Sequence, residues 1–504
     1  MNLFRTLLIM LLISGITIVQ SQEIDEVALK YASTITAKEL SHHLHIIASD
    51  EFEGRETGKQ GQKMAMQYLI EQFQNYGIKD YQNLNYQQSF PIIEQENSGI
   101  DLLINGKKFI HNKDFNCTPQ VILETSLSGE IVFVGYGIEE EEHNDYQDID
   151  VKGKAVFFWK GNPKKELKDI WKIQKKIKLA KEKGASAIFF YDKNLEESLE
   201  KYSHYFYKPK TMLLDDLTDE TPVIRMTENT ANAFLNAGKL KVKKITKKGI
   251  NTGKSFSTPF NLKINKPTTE LTGENVIAFI EGTEKKEEVI VLTAHYDHIG
   301  KKDSIIFNGA DDDGTGTVTL LELAQAFTTA AAEGYRPKRS ILIMPVSGEE
   351  KGLLGSKYYT NHPIFPLENT VANLNIDMIG RYDENHEEGS NYIYLIGSDK
   401  LSSELHQLSE MVNEKSLKID LDYTFNDDND PNRFYYRSDH YNFAKNNIPV
   451  IFYFNGVHED YHKSTDTVEK IDFDKTERVA RLIFLTAWEL ANRKNRIKVD
   501  KGTK

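Results

Sequence analysis

Four apolar stretches of this chain stop abruptly in residues able to hold a cation. VIVLTA runs into His295 and Asp297, ILIMPVS into Glu349 and Glu350, and VANLNI into Asp377. VIFYFNG leads through a short loop to Asp460, Tyr461, His462 and Asp466. A further segment, NGADDDGTG, delivers Asp311, Asp312 and Asp313 just before a long apolar helix pattern. In open α/β sheets, ligands bind just outside the carboxyl ends of the strands, so these segments would meet at one edge. One charged residue after one strand is an ordinary surface feature; four such endings, all in His or carboxylate, point to a metal site.

Two histidines and three carboxylates suit zinc, with cobalt or manganese as substitutes. Five ligands are too many for one tetrahedral catalytic zinc with an open position, and they fit two ions if one carboxylate bridges. Asp312, in the middle of its triplet, is the natural bridge. Glu349 and Glu350 diverge in an extended chain, so one can bind metal while its neighbour faces water as general base. Asp297, two residues after His295, can accept the second imidazole N–H and fix the tautomer.

Holding such residues together takes strands with helices between them. NVIAFIEG, EVIVLTAHYD, SILIMPVSGEE, TVANLNIDMIG, YIYLIGSD and IPVIFYFNG are expected as strands, the first two joined through a polar turn at 283–287. Residues 318–332, SSELHQLSEMVNEK and DFDKTERVARLIFLTAWELANRK are expected as helices, as is GQKMAMQYLIEQFQNYG, which stops at Gly77. This alternation predicts an α/β sandwich around a mostly parallel sheet. His42, His43 and His45 lie on an amphipathic helix without a carboxylate cluster and read as packing or solvent-facing residues. Residues 116–259 break the pattern with short strands (GEIVFVGYGI, GKAVFFWKG), one helix (DIWKIQKKIKLAKEKGA) and the strand AIFFYD. They read as a β-rich module inserted into the main domain, with the acidic run 139–142 as a solvated loop.

The 504 residues suffice for two or three domains. A formal charge of −12 argues against nucleic acid as a partner. The single cysteine, Cys117, excludes an intrachain disulfide and a cysteine-rich zinc site. A short positive start, an apolar run at 7–19 and Ser21 before Gln22 read as a signal peptide over 1–21, so the expected location is secreted or periplasmic. No second hydrophobic span follows.

HYDH, GADDDGTG, SGEE, NIDMIG and DYHKSTDT stand in the order found in the secreted di-zinc aminopeptidases, and through them the chain resembles peptidase family M28. That family shares a superfamily with glutamate carboxypeptidase and glutaminyl cyclase. The resemblance covers roughly 39–112 and 261–492. The inserted segment is similar, more weakly, to a protease-associated (PA) domain through FVGYGI, DIDVKGKAVFFWKG and AKEKGASAIFFYD. The resemblance implies a zinc-exopeptidase, phosphorylase/hydrolase-like fold: a mostly parallel or mixed sheet sandwiched by helices. The peptidase domain would comprise 22–115 and 260–504, with the PA-like domain at 116–259 between them. It implies one zinc on Asp312, Glu350 and His462 and a second on His295, Asp312 and Asp377, with Glu349 as general base and Asp297 orienting His295. His298 and His458 fall outside the ligand pattern and are expected in the outer shell or at the surface. Ser438, Asp439 and His440 would line the pocket or cap a helix. The activity implied is hydrolysis of N-terminal peptide bonds of peptides with a free N-terminus. A carboxypeptidase or dipeptidase of the same superfamily is the alternative, needing a cationic pocket that Arg437 or lysines of the insert could supply. A non-catalytic surface binding protein is a third reading, which the intact Glu349 and full ligand set oppose.

Overall fold

The computed structural model describes residues 24–118, 124–162, 171–202, 208–217, 221–248 and 256–502; the expected leader at 1–21 lies outside them. The apolar runs form a seven-stranded sheet: β1 (Ala278–Ile280), β2 (Lys285–His295), β3 (Arg339–Val346), β4 (Thr370–Ile376), β5 (Tyr392–Ile396), β6 (Asp420–Asp422) and β7 (Val450–Phe454). Their spatial order is β1-β3-β2-β4-β7-β5-β6. The centre, β3-β2-β4-β7, is parallel, whereas β1 and β5 run antiparallel to their inner neighbours. The sheet is therefore mixed, with a parallel middle. NVIAFIEG divides: its first residues close a strand of another sheet, and β1 pairs with β3.

Every residue of β3 and β4 is buried, as expected for strands covered on both faces. Alternation along β2 sends Ile290, Leu292 and Ala294 to one core and Val289 and Val291 to the other. The first core is closed by α1 (Ala37–Ile47), α2 (Gln60–Asn75), α3 (Gly316–Ala332), α4 (Ser403–Lys415) and α5 (Phe473–Asn492). Tyr359, Phe365, Phe443 and Ile448 close the second. Among the described residues no helix is long and apolar enough to cross a membrane.

A second, eight-stranded mixed sheet begins at Ile100 and ends at Ile264, a wider span than 116–259. It has its own core, including Leu102, Phe133, Phe157, Phe189 and Phe234, and buries the free Cys117. The chain reaches this sheet and returns through an antiparallel ribbon in which Gln87–Gln95 pairs with Thr268–Val276 along its whole length.

Candidate metal centre

β2 ends at His295, Glu349 and Glu350 follow β3, Asp377 follows β4, and His462 lies in the loop after β7. The Asp triplet occupies an irregular turn, Ala310–Thr315, immediately before α3. Its three carboxylates are all buried but do different things. Asp313 accepts backbone N–H groups from His295 (3.2 Å), Gly316 (2.9 Å) and Met378 (3.1 Å), tying β2, α3 and the end of β4 together. Asp311 accepts from the Gly380 N–H at 2.8 Å and the Thr315 hydroxyl at 3.0 Å. The backbone N–H groups of Asp311 and Asp312 are themselves held by the Asp466 carboxylate at 3.1 and 3.2 Å. Asp312 alone turns its carboxylate toward histidines on both sides. Gly316 is required here, because a Cβ would come within 2.4 Å of the Asp313 carboxylate.

Around Asp312, His295 Nε2 lies 3.2 Å from Asp312 Oδ1 and 3.6 Å from Asp377 Oδ1. On the other side, His462 Nε2 lies 3.1 Å from Asp312 Oδ2 and 3.3 Å from Glu350 Oε2. Two ligands about 2.0–2.2 Å from one ion at a tetrahedral angle stand roughly 3.4 Å apart, so both groups have the spacing of donors that share a cation. Asp312 Oδ2 and Glu350 Oε1 are buried without a hydrogen-bond partner among the described residues. The electrostatics agree. Burial pulls His462 down, yet Asp312 and Glu350 push it up to about 10. Burial raises Glu350, but His298 and His462 hold it at about 2. Carboxylates that draw protons onto neighbouring imidazoles offer the same attraction to a divalent cation. The donor set and spacing thus fit the zinc ions expected from the sequence.

The structure brings together all five expected ligands, and Glu349 lines the same cavity as Asp312 and Asp377. Burial, reinforced by Glu350, Asp377 and Asp439, raises the Glu349 carboxyl well above its ordinary value. Asp297 departs from its expected contact. The partner of His295 Nδ1 is the Asp297 backbone carbonyl at 3.0 Å, while the carboxylate is 3.8 Å away. That carboxylate instead accepts from the Thr57 hydroxyl (2.6 Å) and the Glu349 N–H (3.3 Å). It therefore acts on the backbone that carries Glu349. His298 is no surface residue: it is fully buried, with Nδ1 2.9 Å from Glu350 Oε1, and with Asp312 and Glu350 it forms a second three-donor group. His458 sits one layer out, with Nε2 3.3 Å from Asp311 Oδ2. Ser438 donates to Asp377 Oδ2 at 2.6 Å, and Asp439 accepts from Ser356; Asp439 stands at the N-cap of the short helix His440–Ala444 without a side-chain cap bond, and none of Ser438, Asp439 and His440 lines the cavity. Thr57 and Arg55 have no sequence signal, and Asp466, which the sequence offers as a cation holder, instead holds the backbone of the Asp triplet; their partners lie far along the chain.

Residues 275–487 match the profile of Peptidase family M28. A vacuolar membrane protease of Verticillium alfalfae is 35% identical over 122 residues, 21% of this chain and 11% of that protein. Aminopeptidase YwaD of Bacillus subtilis is 26% identical over 240 residues, 47% of this chain and 49% of that one. The chain therefore matches half or less of the length of these relatives. An aminopeptidase from Aneurinibacillus sp. strain AM-1 shares the fold at a TM-score of 0.52 and 18% identity, over 94% of this chain and 98% of its own. The α/β architecture with a central mixed sheet is thus that of known aminopeptidase structures. The secreted or periplasmic location expected from the N-terminus is overturned by these comparisons, in which several relatives are named vacuolar membrane proteases, although each match spans a small part of them. The stretch 275–487, with its sheet and its convergent donors, is thus the part of the chain that matches peptidase family M28.

Proposed function

We propose that the protein is a zinc-dependent exopeptidase that hydrolyses N-terminal peptide bonds of peptides with a free amino terminus. The observation that carries this reading is the convergence of His295, Asp312, Glu350, Asp377 and His462 beside Glu349. His295, Asp312 and Asp377 would hold one cation, and Asp312, Glu350 and His462 the other. Zinc is the expected ion, with cobalt or manganese as substitutes. When bound, a pair of such ions lowers the pKa of water and polarises a carbonyl group. Glu349 takes the proton of the attacking water on its carboxylate and passes it to the leaving amine. Asp297 fixes the Glu349 backbone through its N–H and holds the His295 ring through its own carbonyl oxygen. The eight-stranded sheet is read as the inserted PA-like module, standing beside the peptidase unit.

Replacing Glu349→Ala is expected to cut kcat by at least about 10²–10⁴-fold while zinc content stays at two per chain. Near-normal turnover of aminoacyl substrates by that variant would remove Glu349 from the reaction. In the same zinc analysis His462→Ala is expected to lose one equivalent and His298→Ala to keep both. The reverse pattern would make His298 the ligand beside Asp312 and Glu350.

A further inference from the structure

We propose that Arg437 binds the terminal carboxylate of the substrate, so that the site favours dipeptides and other very short peptides with a free C-terminus. This rests on the peptidase reading above. The cavity that exposes Glu349 and Asp377 is walled by Phe434, Phe454 and Val457, and Arg437 is its one basic lining residue among the described residues. The arginine is placed firmly. The next residue, Ser438, is bonded to Asp377 at 2.6 Å, which anchors the backbone beside a candidate ligand. The guanidinium packs over the Phe434 ring at 4.9 Å and reaches the Tyr461 hydroxyl at 3.5 Å. Tyr461 stacks on His462, with ring centroids 3.9 Å apart. Arg437 therefore lines the cavity between Ser438, bonded to Asp377, and Tyr461, stacked on His462.

Among the described residues it has no carboxylate partner, unlike Arg381, which pairs with Asp460 at 3.0 Å. An exposed guanidinium whose one hydrogen bond among the described residues is the long one to Tyr461 suits a bidentate carboxylate ligand. With bound cations balancing Asp312 and Asp377, Arg437 is the basic group of the lining left to meet a substrate carboxylate. In a dipeptide that carboxylate follows the scissile bond by one residue, about 3.8 Å between Cα atoms, so it stays at the cavity mouth. A long peptide presents a neutral amide at the same place and gains nothing from Arg437.

The test compares kcat/KM for a dipeptide, its C-terminal amide and its N-acetyl form, using the zinc-loaded full-length protein as wild type, Arg437→Gln and Arg437→Lys. The wild type is expected to prefer the free acid over the amide by about 10- to 100-fold. In Arg437→Gln this ratio should fall toward one, chiefly through KM, with zinc content unchanged; Arg437→Lys should keep part of it. Equal kcat/KM for acid and amide in the wild type, or an unchanged ratio in Arg437→Gln, would overturn the proposal and leave the peptidase reading standing. Cleavage of the N-acetyl form with the acid preference intact would overturn the aminopeptidase reading and leave Arg437 its role. No zinc-dependent turnover of any form would overturn both.

Discussion

Glu322 lies on the buried side of α3, 1% exposed, with neither carboxylate oxygen hydrogen-bonded among the described residues. His43 Nε2 is 3.8 Å away, and His43 itself contacts the hydroxyls of Tyr68 (2.6 Å) and Tyr76 (3.2 Å). Burial, helped by Glu39, raises Glu322 to about 8, and burial lowers His43 to about 4. The signs oppose each other. Glu322 is protonated more readily in the native state than at its ordinary 4.5, so its contribution is full below that value and is lost as pH rises through about 8. His43 is protonated less readily in the native state, so its contribution is present above 6.5 and is lost as pH falls toward 4. Replacing Glu322→Gln leaves His43 in both proteins and isolates the glutamate. The variant should gain stability relative to wild type as pH rises from about 5 to 8.5, by about 4 kcal/mol. Denaturant unfolding across that range measures it; a difference independent of pH would refute the assignment. The histidines read as packing or solvent-facing are so placed, His43 buried and His42 and His45 exposed, but the buried glutamate was not legible, because an acid on an apolar helix pattern looks the same whether it faces water or another helix.

At the level of elements, two of the donor-bearing segments, the end of β2 and the loop before the Asp triplet, are tied to one short segment. The 3₁₀ stretch Asp50–Arg55 carries a fully buried arginine. Arg55 donates to the backbone carbonyls of Ile47 (2.9 Å), Tyr296 (2.8 Å), Asn308 (2.7 Å) and Gly309 (2.9 Å). It thereby binds the end of α1 to the end of β2 and to the loop before the Asp triplet. Arg55→Met would leave those carbonyls buried and unpaired, and is expected to cost about 3–5 kcal/mol of stability by chemical denaturation. Arg55→Lys should rescue little, since an ammonium cannot reproduce the planar fork. A loss below about 1 kcal/mol for Arg55→Met would show that these bonds are replaced by water. The strands were legible because apolar runs of their length have few other uses. Arg55 was not, because its partner Tyr296 is 241 residues away and nothing local marks the pairing.

Across the whole molecule, the donors come from loops after four strands and from the turn before α3, so a cation bound among them joins segments spread over 168 positions, from His295 to His462. Removing metal with a chelator should lower the melting temperature and speed amide exchange at 295–300, 309–316, 347–352, 377–380 and 458–466, with β2, β3 and β4 still protected. Equal exchange at those loops with and without chelator would argue that they hold their shape unaided. The eight-stranded sheet has its own core and supplies none of these donors, so its exchange should not change.

Sequence alone determined the α/β class, the order of the apolar strands and the residue types at their ends, because periodicity and strand termination are local properties of the chain. It also placed Glu349 next to a candidate ligand. Only the tertiary structure decided that the Asp297 carboxylate serves Thr57 and the Glu349 backbone, that His298 is buried against Glu350, and that Arg437 lines the cavity of Glu349. Each of these depends on which distant atom reaches a given donor or acceptor first, and that competition is settled by packing rather than by spacing along the chain.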